Sequence, residues 1–186
     1  ARLRSVFEKM VKEKGLKAHR EVISDVKILK FLRGHGADDD NVIRAFERTL
    51  EYRVKYRVEE VRERLLALEK ASSSSSIPWP YSMTRFQKLR DVWNGKLPCV
   101  YLRNDVNGNP ITITALAAYR FADIVNEGLQ DVWLDLALHC DVYFDIITQR
   151  LSESFGGRPV GRHDICDLAG IRMSDIGLKA MSMIKE

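Results

Sequence analysis

Cysteine is scarce in this chain: Cys99, Cys140 and Cys166 are odd in number, widely spaced, and form no C-x-x-C pair. That excludes a disulfide-dense extracellular scaffold and favours a reducing compartment. Long apolar runs are missing as well. No stretch approaches the roughly 20 apolar residues of a membrane span, and the N-terminus opens on Arg2 and Arg4 without the apolar core of a signal peptide. The expected location is therefore cytoplasmic, soluble or peripheral to a membrane.

Signatures of chemistry are also absent. His19, His35, His139 and His163 are scattered, and neither an H-E-x-x-H nor a cysteine pair provides metal-ligand spacing. No G-x-S-x-G elbow occurs, so Cys140 and the serines have no visible activating base. Cys140, inside an apolar helical stripe, is expected to be a small core residue. Gly34-His35-Gly36 lacks the remainder of G-x-G-x-x-G and follows a helical rather than a strand pattern, so it makes a loop and no dinucleotide site. His163, Asp164 and Asp167 are the nearest polar constellation, but strand alternation puts His163 and Asp167 on one face and Asp164 on the other. The expectation is a protein without metal, cofactor or catalysis. Lacking a dense Lys/Arg run with interleaved aromatics, it is not expected to bind nucleic acid.

Hydrophobic residues at 45% and charged residues at 30% place the chain among ordinary globular proteins and exclude disorder. The net charge of +4 is uneven. Residues 1–70 carry 18 Lys and Arg against 13 Asp and Glu, whereas residues 71–186 carry 12 against 13. A basic first lobe suits transient contact with an anionic membrane surface, although an ordinary solvated helical face has the same composition. The chain opens on Ala1 and closes at Glu186 within a helical pattern, and is expected to be part of a longer protein. An incomplete sheet would then expose an edge and an apolar face, so self-association of the isolated chain is expected.

Periodicity predicts four helices in residues 1–70. Leu3, Val6, Phe7, Met10 and Val11 recur at helical spacing up to Gly15. Ser24 and Asp25 can cap a second helix through Ile28, Leu29, Phe31 and Leu32, closed by Gly34 and Gly36. Asp38 to Asp40 suit the positive end of a third, whose stripe is Val42, Ile43, Phe46 and Leu50. The fourth runs from near Val58 to Lys70. Ser72 to Ser76, followed by Ile77-Pro78-Trp79-Pro80, read as a linker over 71–80.

Residues 81–186 change character. Met83, Phe86, Leu89, Val92 and Trp93 predict a helix. Cys99–Leu102 and Ile111–Thr114 flank an Asn107-Gly108 turn and predict a β-hairpin. Helices follow around Phe121 to Val125 and from Leu129 to Leu151, the second covering the sheet. A segment from Arg162 to Leu168 leads to a last helix capped near Ser174 or Asp175. The order indicates an α/β layered domain behind an all-helical lobe.

Three motifs in this order carry a resemblance. Val26 to Gly34, with Ala37 to Asp40 and Thr49 to Arg53, resembles the N-terminal helical lobe of the CRAL-TRIO lipid-transfer family. Asn107 to Ile113 resembles that family's glycine, polar residue, proline and apolar strand. Ile165 to Ile171 resembles its hydrophobic-aspartate-leucine-x-glycine strand end. The resemblance implies an incomplete α/β/α lipid-binding domain whose sheet floors an apolar cavity, a mobile helix that gates it, and no catalysis. It implies binding and intermembrane transfer of a phospholipid or other small lipophile. The alternative is a regulatory protein-interaction module on the same fold. Tyr101, Ile111, Ile113, Tyr143, Ile147 and Cys166 are the candidate pocket-wall residues. Arg162 and Asp164 stand where choline-lipid-binding relatives present hydroxyls, and are the candidate headgroup contacts. The family's proline-glutamate-x-x-glycine segment would lie beyond Glu186.

Overall fold

A computed structural model describes residues 2–36, 38–72 and 76–171. The chain is a mixed α/β protein in which helices outweigh a small three-stranded sheet. Helices α1 (Arg2–Glu13), α2 (Asp25–His35), α3 (Asp39–Lys55) and α4 (Val58–Ala71) follow the expected order. Their ends obey local chemistry: the Ser24 hydroxyl accepts from the Lys27 amide, and the Asp38 carboxylate accepts from the Asp40 amide. Helix α2 does not stop at Gly34 but runs through it to His35, with Gly36 turning at φ +79°.

Two apolar cores form. Phe7, Val11, Val22, Val42, Phe46 and Leu50 make the first, with the Phe7 and Phe46 rings stacked at 3.7 Å. Helix α4 turns away from it, adding Val58, Val61 and Leu65 to a second core shared with Phe86, Leu89, Ile124, Leu136 and Ile146. Within the expected linker, Ser73–Ser75 lie outside the described residues, whereas Ile77 is buried and Trp79 packs on the second core. The helix expected over 83–93 is two 3-10 turns, Pro80–Ser82 and Thr84–Phe86, ahead of a short α5 (Gln87–Val92). Pro80 begins the first turn, and burial of Tyr81 and Phe86 fixes both turns against the core.

Strands β1 (Cys99–Asn104) and β2 (Pro110–Ala115) form the expected hairpin, pairing Cys99 with Thr114. In its turn the Asp105 carboxylate accepts from the amides of Asn107 and Asn109. Gly108 adopts φ +81°, and a Cβ there would lie 2.2 Å from the Phe155 ring. A 3-10 turn (Leu116–Tyr119), α6 (Phe121–Asn126) and the long α7 (Gln130–Ser154) follow. Strand β3 (His163–Asp167) then pairs parallel to β2, giving the order β1-β2-β3. The predicted final helix near Ser174 lies outside the described residues. Among those residues no helix is long and apolar enough to cross a membrane.

Candidate functional site

The pleat decides what faces α7. Cys99 pairs with Thr114, which pairs with Cys166; Tyr101 pairs with Thr112, which pairs with Asp164. These rows share the face beneath α7. Val100, Ile113 and Ile165 form a row on the other face, as do Arg103, Ile111 and His163. On that far face Val100, Leu102 and Ile165 are exposed.

Between α7 and the near face lies a cavity of about 250 Å³. Helix α7 lines it with Trp133, Leu136, Ala137, Cys140, Asp141 and Phe144, one stripe at helical spacing. The sheet supplies Cys99, Thr114, Asp164 and Cys166, and Trp79, Tyr81 and Tyr119 close one side. Thus all three cysteines border one space although they are scattered in sequence. Burial pushes the Cys99 thiol up, although a hydrogen bond with Thr114 opposes this, and pushes the Cys140 thiol well up. The Tyr81 and Tyr119 hydroxyls are hydrogen-bonded to each other, and burial raises both far above the ordinary phenol value. The indole N–H of Trp79 is buried without an acceptor among the described residues.

Arg162 stands at the rim. Its guanidinium lies 4.5 Å from the Phe144 ring centroid and donates to Asp164 at 2.7 Å, while Asp164 also accepts from the Thr112 hydroxyl. Asp141, Phe144 and Arg162 also wall a second, more open groove of about 490 Å³, bounded by Lys30 and Arg33 of α2 and by Asp145 and Thr148 of α7. Burial raises the proton affinity of Asp141, with Arg162 opposing and Asp145 and Asp164 adding.

Of the residues singled out from sequence, Arg162, Asp164 and Cys166 converge on the cavity. Tyr101 shares their face, but its hydroxyl bonds Asn104 at 2.6 Å and its ring sits 6.4 Å from Trp79, behind the lining. Tyr143 is core, edge-on to Trp79 and Phe144, and Ile147 packs beside it; both lie off the lining stripe of α7. Ile111 and Ile113 are on the far face, because a period of two separates them from Thr112 and Thr114. The spacing of Trp133, Leu136, Ala137, Cys140, Asp141 and Phe144 was the available signal for the missed wall. Nothing local marked Trp79, Tyr81, Lys30 or Arg33.

Among the described residues no group of His, Cys, Asp and Glu could hold a metal ion. No family model matches this chain, and neither a curated protein nor a solved structure does.

Proposed function

We propose that this protein binds a lipid or other small lipophilic ligand and carries it between membranes, without catalysing a reaction on it. The observation that supports this is an aromatic-walled cavity that shares Asp141, Phe144 and Arg162 with an adjacent groove bordered by the charged side chains of Lys30, Arg33 and Asp145. An amphiphile needs both. Its apolar part gains roughly 25 cal/mol per Å² of surface removed from water, and a few fixed polar groups orient the rest. The resemblance of the three sequence motifs to lipid-transfer proteins points the same way.

Size narrows the ligand. Sites for small molecules commonly enclose about 300–1,000 Å³, so a partly open space of about 250 Å³ suits one short chain or ring system, with the remainder lying along the groove. The surplus of cations in residues 1–70 suits transient contact with an anionic cytoplasmic membrane surface. Mass spectrometry of lipids retained by the purified protein after exposure to a cell lysate tests the reading. A selective, stoichiometric lipophile is expected; a protein that takes up none overturns it.

A further inference from the structure

The groove beside the cavity carries charges that the fold does not use. Lys30 has only the Thr148 hydroxyl, at 3.4 Å, as a hydrogen-bond partner, and no described carboxylate lies within ion-pair distance. Arg33, one turn further along α2, is exposed and makes neither an ion pair nor a hydrogen bond among the described residues. Across the groove Asp141 likewise has neither. The other charges there are occupied: Asp145 takes Lys27 at 2.8 Å and Arg53 at 3.3 Å, and Arg162 takes Asp164. Burial and the neighbouring Lys27 charge lower the proton affinity of Lys30, with the Asp145 charge opposing them.

Two unused cations and one unused carboxylate thus border one space. A purely anionic occupant would leave Asp141 unpaired beside added negative charge. A zwitterion satisfies all three. A carboxylate favours a cation with N–H donors, whereas a quaternary ammonium has none and is held by aromatic faces. Phe144 is the aromatic ring in the groove wall, and Arg162 already covers it.

Resting on the lipid-carrier reading, we propose that the groove receives a zwitterionic headgroup, its phosphate between Lys30 and Arg33 and its primary ammonium on Asp141, as in an ethanolamine phospholipid. The helical lobe then supplies half of the polar site.

Native mass spectrometry with dihexanoyl phosphatidylethanolamine, phosphatidylcholine, phosphatidic acid and diacylglycerol, together with soluble glycerophosphoethanolamine, tests this. The ethanolamine lipid is expected to bind tightest. Asp141→Asn should lower the ratio of its affinity to that of phosphatidic acid about tenfold, the scale of one lost charge-assisted hydrogen bond. Lys30→Gln with Arg33→Gln should lower the phosphatidic acid to diacylglycerol ratio by about as much. Both readouts are ratios, so a general weakening of the fold does not imitate them. Unchanged ratios overturn the headgroup assignment while leaving the carrier intact. If no lipid binds, the carrier reading fails and this inference with it. If glycerophosphoethanolamine binds as tightly as the lipid, the apolar cavity is not used and the ligand is a soluble metabolite.

Discussion

Arg53 of α3 and Asp145 of α7 form a partly buried ion pair at 3.3 Å that ties the helical lobe to the helix lining the cavity. Arg53 is only 5% exposed and also donates to Glu59 at 2.7 Å, while Asp145 accepts from Lys27 at 2.8 Å. Removing Arg53 takes a partner from the largely buried Glu59, while Asp145 keeps Lys27. Arg53→Met should therefore destabilise the protein by about 1–3 kcal/mol, read as a fall in the midpoint of urea unfolding. A change no larger than that of an exposed arginine variant would show that the two lobes do not depend on this network.

Asp135 gives the protein an acid limit. Burial alone would raise its proton affinity, but the hydrogen bond with His139 and the charges of His139, Arg85 and Arg64 outweigh burial and lower it. With the folded-state value below the ordinary 3.8, the contribution is complete above that pH and is lost as pH falls through the folded value. The fall in melting temperature between neutral pH and about pH 3 should be smaller in Asp135→Asn than in the parent. Equal falls would remove Asp135 from the account.

At Gly108 two costs separate. Alanine there meets both the positive φ and the Phe155 ring. Gly108→Ala should cost about 1–2 kcal/mol from the backbone alone, with the clash added. Phe155→Ala in the same background should relieve the clash and leave the backbone cost. Complete recovery in the double variant would mean that φ at this turn is free to change.

The cavity thiols should differ in reactivity. Cys166 is exposed on β3, whereas burial raises the Cys99 and Cys140 thiols and so suppresses their thiolates. Maleimide at neutral pH should modify Cys166 ahead of Cys140 by at least about tenfold, as followed by peptide mapping. Equal rates would mean that α7 lifts from the sheet on the time scale of labelling.

Local chemistry was legible in the chain. Ser24, Asp38 and Gly15 punctuate helices through hydrogen bonds and backbone freedom within a few residues of themselves, and the Asn107-Gly108 turn announces its hairpin. The apolar stripe of α7 was equally plain, because helical periodicity is a property of the segment. Which members of that stripe line a space was not: Tyr143 and Ile147 looked suitable, whereas Trp133, Leu136, Cys140 and Phe144 line the cavity, and only the rotation of α7 against the sheet separates them. The same holds for Ile113 and Cys166, which a single step of the pleat sends to opposite faces. Lys30 and Arg33 border the same groove as Asp141, more than a hundred residues later, only because α2 packs beside α7. Short-range hydrogen bonding and periodicity thus determined the elements by themselves, while the walls and charges of the cavity arose from contacts between segments that no local pattern encodes.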